Sequence, residues 1–196
     1  MRSTLSPRVA VFAGPNGAGK TTHAESILEA LNIGTFVNAD FIARGLSGAR
    51  ADAVSFEAGR IMLNRLRQLS AAREDFAFES TLSSRSFAPF LRDLKSNGYL
   101  VVIFYFSLAS AALAVRRVSM RVKLGGHDVP QADIRRRYLR SLANFFELYA
   151  PLADEWVMLD NSGISRVRLV AGYDGNQLSV EDRTRWLKLQ QQRIRR

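Results

Sequence analysis

Near the N-terminus, Gly14-Pro15-Asn16-Gly17-Ala18-Gly19-Lys20-Thr21 fills every fixed position of the pattern G-x-x-x-x-G-K-[ST]. Its flanks carry the matching periodicities. Val9 to Ala13 is an apolar run of strand length, and Lys20 to Leu31 places Ala24, Ile27, Leu28 and Leu31 on one side of a helix. A strand, a glycine-rich turn and a helix in that order make a phosphate cradle. Glycines let the backbone wrap closely and turn several N–H groups inward, and the helix adds its positive N-terminal end. Lys20 is expected to bridge the β- and γ-phosphates, and the hydroxyl of Thr21, with Thr22 beside it, to face a magnesium ion. The ligands expected are therefore ATP and Mg2+. ATP rather than GTP is an expectation, because no base-reading motif accompanies the loop.

The rest of the chain alternates short apolar runs with longer helical ones. Strands are expected at Thr35 to Asn38, Phe76 to Phe78, Tyr99 to Phe106 and Trp156 to Leu159, with a further one at Val167 to Ala171. Helices are expected at Ala51 to Leu69, Phe87 to Lys95, Ala109 to Lys123, from Pro130 to about Tyr149, and from Val180 to Arg196. Gly45 to Gly48 reads as a loop. Its Leu46-Ser47-Gly48 faintly echoes the signature of transporter ATPases, but lies too close to Lys20 and lacks the Asp-Glu pair that ends a following strand. Asn161-Ser162-Gly163 and Asp174-Gly175-Asn176 read as turns. The alternation predicts a three-layer α/β fold, a parallel sheet with helices on both faces. The 196 residues show no linker or internal repeat and suit a single domain over 1–196.

In such sheets ligands sit outside the carboxyl ends of the strands, so the polar residues that follow each strand carry the interest. Asn38-Ala39-Asp40 ends the second strand. Asp40 is the candidate general base, a carboxylate beside the phosphate loop able to accept the proton of an attacking hydroxyl; the alternative is a helix cap. Glu79 ends the third strand and is a candidate to hold magnesium or an acceptor hydroxyl, again with a cap as the alternative. Ser80 and Thr81 follow it as acceptor-binding or capping residues, and Arg85 as a phosphate contact or a solvated side chain. The stretch of about 116–140 holds Arg116, Arg117, Arg121, Lys123, Arg135, Arg136, Arg137 and Arg140, opposed by Asp128 and Asp133 alone. Two helices around the Gly125-Gly126 break make this an arginine-rich lid, able to cross bound phosphates and exclude water. Arg117 and Arg121 share a helix face. Arg135, Arg136 and Arg137 cannot all point one way. His127 reads as a loop histidine without a chemical role, with a phosphate contact as the alternative.

These parts together resemble the zeta-toxin family of P-loop kinases, in a stand-alone bacterial branch. The resemblance rests on GPNGAGKTT at 14–22, Asn-Ala-Asp at 38–40, Phe-Glu-Ser-Thr-Leu at 78–82, Arg-Val-Lys-Leu-Gly-Gly-His-Asp-Val-Pro at 121–130 and Ile-Arg-Arg-Arg-Tyr at 134–138. It runs over about 8–162. It implies a sheet of order 2-3-1-4-5, catalysis by Asp40 with Lys20, and an acceptor near Glu79 and Thr81. It also implies that Arg117 and Arg121, or Arg135 and Arg136, lie on the phosphates. A zeta-like kinase would phosphorylate a sugar hydroxyl of UDP-N-acetylglucosamine and be held in check by an antitoxin protein.

The expected activity is therefore ATP- and Mg2+-dependent phosphotransfer to a hydroxyl of a small molecule. A polynucleotide or nucleoside kinase stays open, because the net charge is +10 and the last helix, about 180–196, is basic. So does a binding module gated by ATP without transfer. The chain has no cysteine, which excludes disulfides, thiolate metal sites and a cysteine nucleophile. No apolar run reaches the length of a membrane span, and Met1 to Arg8 lacks the apolar core of a leader, so a cytoplasmic protein is expected.

Overall fold

Strand alternation sorts the apolar side chains into two cores. In β1 (Arg8–Ala13), Val9, Val11 and Ala13 face one side, and Ala10 and Phe12 the other. The same division holds in β3 (Phe76–Ser80), where Phe76 and Phe78 oppose Ala77. In β4 (Leu100–Ser107), Val101, Ile103 and Tyr105 oppose Phe106. Strands buried on both faces need helices on both faces, and the computed structural model, which describes residues 6–46, 51–126, 128–163 and 166–194, supplies them.

One face carries α1 (Lys20–Leu31), α5 (Ala111–Lys123) and the first turns of α6 (Gln131–Asn144), through Ala24, Ala114, Val118, Ile134 and Tyr138. The other carries α3 (Ala51–Ala71) and α4 (Phe87–Ser96), then the π-helical turn Phe145–Tyr149 that continues α6, and α7 (Arg183–Ile194). The remaining elements are β2 (Phe36–Val37), α2 (Ala39–Gly45), β5 (Glu155–Asp160), β6 (Arg168–Tyr173) and β7 (Leu178–Val180).

The strands lie in the order β2-β3-β1-β4-β5-β6-β7. The first five are parallel, in the expected 2-3-1-4-5 order. The sheet is nevertheless mixed: β6 and β7 extend it as an antiparallel hairpin. The turn is legible, since Asp174 accepts from the backbone N–H groups of Asn176 and Gln177 and Gly175 takes φ +91°. β7 lies outside the expected strands: Leu178-Ser179-Val180 alternates, but three residues are too short a run to mark a strand, and all three are exposed.

The hairpin also corrects the last helix. Val180 belongs to β7, and Asp182 caps α7 by accepting from the N–H of Arg185, so the helix starts at Arg183. The helix is not solvated all round. Trp186 and Leu189 are buried, and the Trp186 ring stacks on Trp156 at 5.9 Å between centroids. The helix expected from Pro130 to about Tyr149 is continuous, but Pro130 precedes its first turn and the last five residues widen to π geometry. A short helix, α2, also stands between β2 and α3, beyond the helices expected from periodicity. Of the loop expected at Gly45 to Gly48, Gly45 closes α2, and Ser47 and Gly48 lie outside the described residues, as do His127, Arg195 and Arg196.

Candidate active site

The phosphate loop runs from the end of β1 into α1, hemmed in on its far side. A Cβ at Gly14 would collide with the carbonyl oxygen of Phe106, and one at Gly19 with the side-chain amide of Asn161. Both positions also adopt positive φ, +135° and +82°; at Gly14, where the obstacle is backbone, glycine is required twice over, and at Gly19 the φ requires it. Gly14, Pro15 and Ala18 are buried as the floor of the loop. Asn16, Gly17, Gly19, Lys20, Thr21 and Thr22 face a cleft of about 870 Å3 above it.

Glu79 organises that cleft. β3 is the strand next to β1, with Glu79 level with Phe12, so its carboxylate emerges beside the loop. It accepts from the Thr21 hydroxyl (2.5 Å) and the Asn38 side-chain amide (2.9 Å), and lies 3.4 Å from the Lys20 ammonium. Lys20 is 5% exposed and also donates to the carbonyl of Pro15 at 3.1 Å. A buried ammonium, a carboxylate and a hydroxyl thus converge where the helix N-terminus points. The oxygen donors fit magnesium, which binds through one or two carboxylates and the substrate's phosphates more often than in an all-protein cage. Among the described residues no group of three or more His, Asp or Glu side chains gathers to form such a cage.

Asp40 lines the same cleft, exposed, in the first turn of α2. The cap of that helix is Asn38, whose Oδ1 accepts from the N–H of Asp40 at 2.8 Å, leaving the Asp40 carboxylate uncommitted to capping. Asn38 therefore ties α2 to Glu79 with its two ends. β2 lies one strand further from the loop strand than β3, and α2 brings Asp40 back to the cleft.

Ser80 and Thr81 line the cleft, and Thr81 shares a 2.9 Å hydrogen bond with Ser83. Arg85 is exposed and lies outside the lining. Of the lid arginines, Arg117, Arg121 and Arg137 reach the cleft, and Arg117 donates to the carbonyl of Gly163 at 2.9 Å. Arg135 and Arg136, the alternative pair, do not line it. Both are exposed, and Arg136 pairs with Asp133 at 2.7 Å one turn back. The helical rotation that puts Arg137 inward turns its two neighbours out.

Several lining residues carried no readable signal. Phe41 and Arg44 come from α2, and Phe56, Arg60, Met62 and Leu63 from α3; together with Phe87 they form the wall away from the lid. Their types are ordinary for amphipathic helices, and only the packing of α2 and α3 over β3 makes them a wall. Asn38 had a readable signal: an Asx residue just before a short helix.

A glycine-rich loop between a buried parallel strand and a helix, faced by a carboxylate from the adjacent strand and an arginine-bearing helical flap, defines a nucleotide-binding domain of the P-loop kinase fold. The chain belongs to the AAA domain family, whose model matches residues 9–143. An uncharacterized protein of Haemophilus influenzae (strain Rd) is 28% identical over 127 residues, covering 65% of this chain and 89% of that protein. Among solved structures, the AvrRxo1-ORF1:AvrRxo1-ORF2 complex with ATP superposes with a TM-score of 0.75 at 17% identity over 95% of this chain. This chain covers 64% of the matched chain, so it spans less than two thirds of that relative. A structure of the PezAT chromosomal toxin–antitoxin system of Streptococcus pneumoniae gives 0.68 at 16% identity, covering all of this chain and 81% of the other. At these identities the likeness is one of fold. Among the described residues, no helix is long and apolar enough to cross a membrane.

Proposed function

We propose that the protein is an ATP- and Mg2+-dependent phosphotransferase that moves the γ-phosphate to a hydroxyl of a small acceptor, a sugar nucleotide such as UDP-N-acetylglucosamine first among them. The observation that carries this reading is the meeting of Lys20, Thr21 and Glu79 at one end of a cleft that Asp40 also lines. Lys20 neutralises charge on the β- and γ-phosphates, and the loop's N–H groups hold them in place. Magnesium, held by Thr21 and Glu79, would offset charge on the phosphate oxygens. Asp40 accepts the acceptor's proton as the new oxygen–phosphorus bond forms and the bond to the departing ADP breaks. Arg117, Arg121 and Arg137 stabilise the charge that spreads over the transferred group. Ser80 and Thr81 orient the acceptor against the wall made by α2 and α3.

The test is γ-labelled ATP, magnesium and a metabolite extract, with the Asp40→Asn variant alongside. Asp40→Asn should retain ATP binding and lose transfer by about two to four orders of magnitude, the usual contribution of a general base. A variant that transfers normally would remove Asp40 from the mechanism. A likeness to a toxin–antitoxin component supports an antitoxin as a protein partner of this chain. The exposed Arg135, Arg136 and Arg140 favour a second reading, transfer to a nucleic acid end. It predicts binding that weakens steeply with salt, as each phosphate contact releases a counterion.

A further inference from the structure

The family match ends at residue 143, yet the chain's last helix reaches back to the phosphate loop. The route begins at Arg185 in α7. This arginine is 8% exposed, and its Nε and Nη2 find no hydrogen-bond acceptor among the described residues. Its charge is met by Asp160, 3.2 Å away at the end of β5 and only 1% exposed. Asp160 also accepts from Arg168 at 2.8 Å and from the hydroxyl of Ser162. The next residue, Asn161, donates its side-chain amide to the carbonyl of Ala18, inside the phosphate loop, at 2.9 Å. Its backbone N–H is fixed to Ser107 O at 3.0 Å. Two residues on, Gly163 receives the lid arginine Arg117.

A helix kept only to cover the sheet would serve with apolar residues at that position. Burying a guanidinium is costly until pairing offsets it, and such pairs are retained best where they fix one geometry among several. Here the geometry fixed is that of the turn 160–163, wedged between the phosphate loop and the lid. The same helix reaches the foot of the lid as well. Gln192 accepts from the hydroxyl of Tyr138 at 3.2 Å and donates to Ala109 O at 3.3 Å, just before α5.

We infer that α7 is a working part of the nucleotide site, with Arg185, Asp160 and Asn161 as positioning residues that hold the phosphate loop in its ATP-binding form. The inference rests on the proposed nucleotide binding and not on any acceptor. Its test is ATP titration of the full chain by calorimetry, on the unaltered protein and on Arg185→Gln, Arg185→Lys, Asn161→Ala and the Arg185→Gln/Asn161→Ala double variant, each checked for fold by circular dichroism. Asn161→Ala should weaken ATP binding about two- to tenfold, the worth of one hydrogen bond. Arg185→Gln should weaken it at least as much, and Arg185→Lys should restore most of the loss. The double variant should bind about as Arg185→Gln does, because the two act through one path. A folded Arg185→Gln protein that binds ATP with unaltered affinity overturns the inference, whatever its melting temperature. If Arg185→Gln does not fold, Asn161→Ala decides, and unaltered ATP affinity there overturns it equally. Failure of the unaltered protein to bind ATP would instead refute the nucleotide reading itself.

Discussion

At the scale of single residues, the site turns on Glu79. One carboxylate, at the end of β3, gathers the Lys20 ammonium and the Thr21 hydroxyl from the start of α1 and the amide of Asn38 from the cap of α2. Two of those partners also have a role of their own: Lys20 on the loop carbonyl of Pro15, Asn38 as the cap of α2. Removing Lys20 leaves Glu79 held by Thr21 and Asn38, so the fold should survive. Lys20→Ala is therefore expected to keep its circular dichroism spectrum while ATP affinity drops at least about tenfold, as a charge-assisted contact to phosphate is lost. Titration with ATP checks this, and near-unaltered affinity would remove Lys20 from the phosphate site.

At the scale of elements, the side of the cleft proposed for the acceptor hangs on a strained turn. Leu82, two residues past β3, takes φ +50°, a conformation costly for a branched side chain. The surroundings hold it there. Its N–H bonds to Ser80 Oγ at 3.1 Å, its side chain is buried, and its carbonyl accepts from the buried amide of Asn144 at 2.9 Å. Asn144 is the last residue of α6 before the π turn, whose Tyr149 hydroxyl bonds to Ser84 O at 2.6 Å. Thus α6 and its π extension grip the segment 82–84 that follows Ser80 and Thr81. Asn144→Ala should destabilise the protein by about 1–3 kcal/mol, the cost of a lost buried hydrogen bond, in denaturant unfolding. It should lower turnover while sparing ATP affinity. An equal loss of both would mean that the segment serves the loop rather than the acceptor.

At the scale of the whole molecule, the buried Asp160 joins β5, β6 and α7 through Arg168 and Arg185. Burial alone would push its carboxyl upward. The Ser162 hydroxyl, the Arg168 guanidinium and the nearby charge of Arg185 outweigh that and hold it below the usual carboxylate range. The other ionisable group facing it is Tyr138, which burial raises to about 12 and which stays neutral in this window. A depressed carboxylate stabilises the fold fully above its ordinary value of about 3.9, and the contribution is lost as pH falls through the lowered native value. Asp160→Asn should accordingly cost about 3–5 kcal/mol at neutral pH by leaving Arg185 buried without its partner charge. The gap in melting temperature from the unaltered protein should narrow as pH drops below 4. A gap that stays constant with pH would assign the effect to shape rather than charge.

The local parts of this protein were written along the chain. A phosphate loop is a run of consecutive residues whose backbone freedom and helix start need no distant partner, so Gly14 to Thr21 announces itself. The central strands and the helix starting at Lys20 follow from periodicity, and the order of the parallel strands from the resemblance those motifs carry. What only the tertiary structure decided is which distant residues meet. Glu79 and Thr21 are 58 positions apart, and Asn161 and Ala18 are 143 apart. No local pattern separates Arg137, which lines the cleft, from Arg135 and Arg136, which do not. β6 and the turn after it are legible, but β7 is not, because three exposed residues are too short a run to mark a strand; α7 reads as a wholly basic helix because its buried arginine resembles its solvated ones until Asp160 is brought against it. Local chemistry is set by neighbours in sequence. Burial and charge pairing are set by neighbours in space, and these exist only after the sheet has closed.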